Sequence, residues 1–127
     1  MFNDLTTVTQ GSFGLTSAIY NLTKLGYIVS IPIIDNQSYD LIADKSGKLN
    51  RVEVKTTGSK ASSGNFTVQI KSVRSNKTAN TIKTFDKSLV DILYILTSDG
   101  SNYLIPAQEI DATCAITLGI KYDKYKI

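Results

Sequence analysis

Asp40, Glu53 and Lys55 are the residues whose types and spacing point most directly to catalysis. They lie in the segment YDLIADKSGKLNRVEVKTTG, residues 39–58, where two runs of alternating apolar and polar residues flank Ser46-Gly47. Such runs around a two-residue turn predict a β-hairpin. The candidate chemistry therefore depends on how this hairpin is paired.

The predicted hairpin brings the three charges to one face of a sheet. A turn at Ser46 and Gly47 places Asp40 opposite Glu53, with their Cβ atoms about 4.5–5.5 Å apart. Lys55 is two residues beyond Glu53 and points to the same side, because side chains alternate along a strand. The opposite face is apolar and suits a core; it carries Leu41, Ala43, Val52 and Val54.

Two carboxylates held this close repel each other unless a cation lies between them. Mg²⁺ commonly binds one or two carboxylates together with water and phosphate oxygens, and Mn²⁺ accepts similar ligands. A divalent ion polarises a phosphoryl oxygen, and a neighbouring lysine can orient the attacking water or stabilise negative charge. Asp40, Glu53 and Lys55 therefore suit metal-assisted phosphodiester hydrolysis. The spacing alone also fits exposed ion pairs, which contribute only about 0–1 kcal/mol.

Composition excludes several other kinds of active site. The chain has no histidine and one cysteine, Cys114, so Ser-His-Asp sites, Cys-His sites and Cys/His zinc centres cannot form within one chain. A length of 127 residues and a hydrophobic content of 42% predict a single domain over residues 1–127. No apolar run is long enough to cross a membrane and the N-terminus lacks signal-peptide features, so we expect a cytoplasmic, intracellular protein.

Positive charge is concentrated in residues 45–87. This segment has ten Lys/Arg residues and two acids, a net charge of +8, whereas the rest of the chain has four basic residues and nine acids, a net charge of −5. Such a stripe suits a polyanion such as nucleic acid, although a solvated lysine-rich surface has the same composition. The candidate DNA-binding residues are Lys60, Lys71, Arg74, Asn76, Lys77, Lys83 and Lys87.

The order of predicted elements is typical of an α/β or α+β sheet covered by at least one helix. Apolar residues at helical spacing predict a helix over residues 9–25, and Gly26 suits its C-terminal end. The almost wholly apolar run 89–96 is typical of a strand buried on both faces. Residues 73–88 are polar and predict a loop with one helical turn at most. The other predicted strands are 27–34, the two arms of the hairpin, 66–72 and 102–106.

Asp40, twelve intervening residues and then Glu53-Val54-Lys55 resemble the motif of the PD-(D/E)XK nuclease superfamily. The likeness covers most of the chain and is greatest to small intron-encoded homing endonucleases of cyanobacterial type and related endonucleases. LTKLGYIVSIPIIDNQSYDLIADKSGKLNRVEVKT is similar to their first helix, first strand and active-site hairpin, and VDILYILTSDGSNYLIPAQEI to their later strands. The resemblance implies a restriction-endonuclease-like core with a central mixed sheet flanked by helices.

The resemblance also implies roles for individual residues. Asp40 and Glu53 correspond to the metal-binding carboxylates and Lys55 to the catalytic lysine, with Mg²⁺ or Mn²⁺ as cofactor. Tyr39 replaces the family's proline, and Leu15 replaces a glutamate early in the first helix, which puts a second metal site in doubt. The side chains that could compensate are Gln10, Asp35 and Gln69.

The first functional hypothesis is a metal-dependent DNA endonuclease of homing or restriction-like character. A Holliday-junction resolvase or DNA-repair nuclease would use the same hairpin chemistry on branched or damaged DNA. A non-catalytic DNA-binding module with a vestigial site belongs to a different class, and the missing helix glutamate favours it. A small domain reaches few base pairs, so we expect a homodimer or homotetramer. An origin in a mobile element or a phage stays open.

Overall fold

The computed structural model describes residues 1–75 and 80–127 and begins with one long helix, α1 (Thr7–Lys24). The Thr6 side chain caps α1 by accepting a hydrogen bond from the Thr9 backbone N–H at 3.2 Å. The predicted helix is confirmed, but it starts two residues earlier than predicted, because the cap is Thr6. Gly26 follows with φ +94°, a left-handed conformation that suits glycine after a helix.

The strands form one five-stranded sheet and two small two-stranded sheets within the described residues. The five-stranded sheet has the order β1-β2-β3-β7-β8, in which β3 and β7 are parallel and the other neighbours are antiparallel. The small sheets pair β4 with β9 and β5 with β6. The strands are β1 (Ile28–Ser30), β2 (Leu41–Lys45), β3 (Lys48–Thr57), β4 (Thr67–Gln69), β5 (Ser72–Ser75), β6 (Asn80–Lys83), β7 (Ile92–Thr97), β8 (Asn102–Pro106) and β9 (Ala115–Thr117).

The hairpin of β2 and β3 has the predicted turn and register. Lys45 pairs with Lys48, and the pairing continues to Leu41 opposite Val52. Ser46 and Gly47 have φ +56° and +86°, the positive values that a tight two-residue hairpin turn requires at both positions. The register therefore separates an apolar face from a charged face.

The five-stranded sheet is buried on both sides. α1 covers the first face, where the packed residues include Ala18, Leu22, Leu41, Ala43, Val52 and Tyr94. On the second face, β4 and β9 and a short helix α2 (Ile120–Asp123) cover the sheet, with Val68, Ile70, Leu93, Ile95, Ile116 and Tyr122 in contact. β7 contributes to both clusters, which confirms that it is buried on both faces. The mixed sheet with helices confirms the predicted fold class.

α1 lies unusually close to β3 at Gly14. A Cβ atom at this position would lie 2.4 Å from the Thr56 Cγ2 atom, which is closer than real Cβ contacts. The absence of a side chain therefore lets the first half of α1 rest directly on the strand that carries Glu53 and Lys55.

Three predicted segments differ from the structure. The strand predicted at 66–72 is interrupted, because β4 ends at Gln69 and Ser72 begins β5. The strand predicted at 27–34 is confined to β1, an edge strand, because Pro32 cannot donate to a ladder. The loop predicted at 73–88 is wrong in part, because β5 and β6 pair as an antiparallel ribbon. A short 3-10 helix (Ala107–Glu109) follows β8. No helix of the described chain is both long enough and apolar enough to span a bilayer.

Candidate active site

Asp40 is fixed at the point where the chain enters β2. Its backbone N–H donates to the Val52 carbonyl oxygen at 2.8 Å, and its carboxylate Oδ2 accepts the Val54 backbone N–H at 2.7 Å. Asp40 lies one residue before β2, where the backbone ladder between β2 and β3 has ended. Its side chain therefore accepts the Val54 N–H, which a backbone carbonyl would accept if the ladder continued. These two bonds hold the carboxylate beside β3.

Glu53 and Lys55 lie on the same face of β3 and form an ion pair. The Lys55 Nζ atom is 3.2 Å from the Glu53 Oε1 atom. The side chain of Lys55 is only 23% exposed and that of Glu53 only 13%, and Ile70, Phe85 and Val90 lie around them in the same cavity. The structure thus brings Asp40, Glu53 and Lys55 together in a partly buried place and not on an open surface.

Burial perturbs both carboxyl groups in the same direction. Desolvation raises the pKa of Asp40, and the charge of Asp35 adds to this, while the Val54 N–H and Lys55 oppose it. Desolvation also raises the pKa of Glu53, which the ion pair with Lys55 only partly offsets. Raised pKa values for two neighbouring acids mean that the negative charge is incompletely compensated by the protein, and a bound cation would stabilise the ionised forms.

The three residues open into a cavity of about 240 Å³, here named the carboxylate cavity. Asp35 and Lys83 also line it, so one of the predicted supporting residues and one of the predicted DNA-binding lysines lie next to the carboxylates. The other charged or polar side chains in its wall are Gln37, Ser38, Ser72, Thr84 and Asp86.

Gln10 lies on the α1 side of the same residues. It lines a cavity of about 530 Å³ together with Leu15, Asp40 and Lys55, and its Nε2 atom donates to the Thr56 Oγ1 atom at 2.9 Å. Leu15 is partly buried against the core under α1, as its apolar spacing predicts. Gln10 is therefore a polar α1 side chain beside the carboxylates, although it adds no charge.

The remaining predicted residues divide into near and remote groups. Gln69 and Lys71 line a further cavity with Gln10 and Lys55, so they border the site. Lys60 is remote from it: its Nζ atom lies 4.9 Å from the centre of the Phe66 ring, in a groove with Asp99 and Asp123. The Lys87 Nζ atom donates to the Ile110 carbonyl oxygen at 3.4 Å. Arg74 belongs to β5, and Asn76 and Lys77 lie outside the described residues.

The donor set fits a divalent cation that prefers oxygen ligands. Within the described residues, one oxygen of each carboxylate has a partner: the Asp40 carboxylate accepts the Val54 backbone N–H, and the Glu53 carboxylate contacts the Lys55 ammonium. Within those same residues, the second oxygen of each carboxylate is free to bind a cation. No group of three acidic, histidine or cysteine side chains able to hold a metal ion occurs within the described residues. Two carboxylates leave the other coordination positions to water and phosphate oxygens, which is the common arrangement for Mg²⁺.

Three parts of the site were not predicted from the sequence. These are the Val54 backbone N–H that orients Asp40, the Ser38 hydroxyl, and the approach of Lys83 to the carboxylates. A serine two residues before the first acid carries no pattern of its own. Lys83 was predicted only as one of many basic residues, because nothing in the sequence shows that β6 folds back toward β3.

Comparison with known proteins agrees with this geometry. A family model described as PD-(D/E)XK endonuclease matches residues 5–126. A solved structure titled as a bacterial homing endonuclease, I-Ssp6803I, is similar with a TM-score of 0.77 and 26% sequence identity, covering 90% of this chain and 78% of that chain. A search of curated proteins gave no match. The resemblance seen in the sequence is confirmed, and the chain belongs to the PD-(D/E)XK endonuclease family.

Proposed function

We propose that this nuclease is a Mg²⁺- or Mn²⁺-dependent DNA endonuclease whose active site consists of Asp40, Glu53 and Lys55. The observation that carries the proposal is the partly buried cavity in which two carboxylates with raised pKa values face one lysine. A purely structural ion pair needs neither the second carboxylate nor the adjoining cavity. The likeness to a homing endonuclease favours a homing or restriction-like enzyme.

The chain's own residues would divide the work as follows. Asp40 and Glu53 would hold the metal ion, which when bound polarises the scissile phosphate and makes water a better nucleophile. Asp40 is oriented for this by the Val54 N–H. Lys55 would leave its contact with Glu53 to hydrogen-bond the attacking water or the phosphate oxygen that gains charge in the transition state. Gln10 would position the start of α1 against β3 through its bond to Thr56.

The substrate would be held mainly through its phosphates. Lys71 borders the site and suits a phosphate contact, whereas Lys60 and Lys87 would act farther from it. Such contacts supply affinity and salt dependence but do not by themselves select a sequence. Two strands must be cut to break a duplex, and a symmetric homodimer or homotetramer would present one site to each strand. Light scattering of the purified protein measures that assembly directly.

The proposal is tested by cleavage of plasmid DNA, genomic DNA and a synthetic four-way junction, with Mg²⁺ and with EDTA. Lys55→Ala is compared with Lys48→Ala, which removes an exposed lysine from the same strand. We expect Mg²⁺-dependent cuts that persist in the Lys48 variant and disappear in the Lys55 variant. Cleavage that survives EDTA, or that is unchanged by Lys55→Ala, would contradict the assignment.

The same panel, with a damaged duplex added, distinguishes the alternatives. Preference for the four-way junction over linear duplex would favour a Holliday-junction resolvase, and preference for damaged duplex would favour a repair nuclease. Salt-sensitive DNA binding without cleavage of any substrate would favour a DNA-binding module with a vestigial site, for which Leu15 in place of the family's helix glutamate is the supporting observation.

A further inference from the structure

Lys83 approaches the candidate active site from a different sheet. It is the last residue of β6, in the small sheet with β5, and it lines the carboxylate cavity with Asp40, Glu53 and Lys55. Its Nζ atom donates to the Ser38 Oγ atom at 2.8 Å. The cavity therefore lies between the β2–β3 hairpin, which carries Lys55, and the β5–β6 ribbon, which carries Lys83.

The two lysines differ in how their charges are compensated. Lys55 is paired with Glu53 at 3.2 Å. Lys83 forms no ion pair with any side chain that the structure describes, and its partner Ser38 is neutral. Lys83 is also exposed, and an ammonium group has three N–H donors, of which Ser38 takes one. Lys83 can therefore bind an anion that enters the cavity without first breaking an ion pair.

A phosphate entering this cavity meets an excess of negative charge. Four carboxylates line the wall, those of Asp35, Asp40, Glu53 and Asp86, against the two lysines. A divalent ion between Asp40 and Glu53 would offset part of that charge, but Asp35 and Asp86 would still repel the phosphate. Phosphate entry needs a cation that no described carboxylate already neutralises, and Lys83 supplies it.

We propose that Lys83 is a second catalytic lysine of this site. From the β6 side of the cavity, it binds a non-bridging oxygen of the phosphate that is cleaved. This inference rests on the proposed function. Ser38 is a positioning residue that holds the Lys83 ammonium over the cavity. The β5–β6 ribbon thus contributes to the chemistry itself, beyond the general affinity that its basic composition predicts.

Cleavage kinetics under single-turnover conditions, with the protein in saturating excess over the DNA and Mg²⁺ present, test the proposal. We expect Lys83→Ala to slow the chemical step about 10- to 100-fold, and Lys83→Arg to retain a larger part of the rate. The matched control is Lys24→Ala, since Lys24 is an exposed lysine at the C-terminal end of α1 with no role in the site, and it should cleave at the wild-type rate. Ser38→Ala should slow cleavage less than Lys83→Ala, and Ser38→Thr, which keeps the hydroxyl, should restore the rate. A Lys83→Ala rate equal to that of Lys24→Ala at saturation would overturn the proposal.

A second measurement does not depend on finding the cleavage site. Lysine acylation is followed by mass spectrometry with and without a mixed-sequence DNA duplex, in Ca²⁺. We expect the DNA to protect Lys83 and Lys55 from acylation. Lys24, at the C-terminal end of α1, should react equally with and without DNA. If other lysines are protected but Lys83 reacts equally in both samples, the protein binds DNA but Lys83 does not contact the phosphate. That outcome overturns the proposal for Lys83 and leaves the proposed function intact. If no lysine is protected and no DNA is cut, the proposed function itself fails.

Discussion

Two ion pairs that involve residues of β3 are built differently. Arg51 and Asp91 are joined by two side-chain hydrogen bonds of 3.0 and 3.1 Å, and Asp91 also accepts the Arg51 backbone N–H at 2.7 Å. These bonds lower the pKa of Asp91. Glu53 and Lys55 share a single contact of 3.2 Å, are more deeply buried, and Glu53 has a raised pKa.

The comparison separates a pair that is satisfied within the protein from the pair that we propose to be catalytic. Asp91 is satisfied within the protein, since the fork of Arg51 matches its two oxygens, and the pair ties β3 to the start of β7. Glu53 and Asp40 are also held in place, and both line a cavity. Within the part of the chain that the structure describes, each carboxylate has one oxygen that accepts no hydrogen bond and forms no ion pair. This incompleteness supports the proposal that the two carboxylates bind a cation, because burying unpaired charge otherwise only costs stability.

The largest expected effect is on cleavage. Glu53→Gln keeps the shape of the side chain but removes one metal-binding carboxylate, and we expect a loss of at least about 100-fold in cleavage rate, or about 3 kcal/mol. Asp91→Asn removes a carboxylate from the other pair and should cleave within a few-fold of the wild-type rate once folded. Single-turnover assays of both variants check this. Equal losses would mean that the two pairs do not differ in role.

Metal binding should stabilise only the protein with an intact site. A ligand at 100 times its Kd stabilises the folded state by about 2.7 kcal/mol, so we expect Mg²⁺ in that excess to raise the melting temperature of the wild type. The effect should vanish in Glu53→Gln and persist in Asp91→Asn, and differential scanning calorimetry with Mg²⁺ or EDTA measures it. An equal rise in the Glu53 variant would place the metal elsewhere.

The Arg51–Asp91 pair should contribute to stability. Asp91→Ala leaves the Arg51 backbone N–H and guanidinium without their acceptor, and we expect a loss of about 1–2 kcal/mol in the free energy of unfolding, since partial exposure lets water replace part of the bonding. Urea denaturation measures it. Asp111→Ala is the control: it breaks the exposed contact with Lys121 at 3.4 Å and should change stability little. An unchanged urea midpoint in the Asp91 variant would show that this pair is not structural.

The smallest expected effect is the pH dependence of the metal-free protein. The pKa of Asp40 is raised from 3.8 by burial, so the folded state binds this proton more tightly than the unfolded state. That stabilisation is full below pH 3.8 and is lost as the pH rises through the raised pKa. We expect Asp40→Asn, whose amide oxygen can still accept the Val54 N–H, to melt above the wild type at neutral pH in EDTA. A lower melting temperature there would mean that ionised Asp40 stabilises the fold.

Much of the fold could be predicted from the sequence because its signals are local. The two-residue turn at Ser46 and Gly47 and the alternation on either side determine the β2–β3 register. Helical spacing predicts α1, and the continuous apolar run predicts β7. The β5–β6 ribbon was missed, since its residues are polar and have no clear alternation.

The sequence by itself determined which residue types are present and which face of the hairpin carries Asp40, Glu53 and Lys55. Only the tertiary structure decided how buried they are, because the cavity around them is walled by Ile70, Phe85 and Val90, which come later in the chain and belong to other elements. It also separated two lysines that look equivalent in the sequence: Lys83 reaches the carboxylates and Lys60 does not. Periodicity along a strand is a local property, whereas the walls of a cavity depend on packing between elements far apart in the chain.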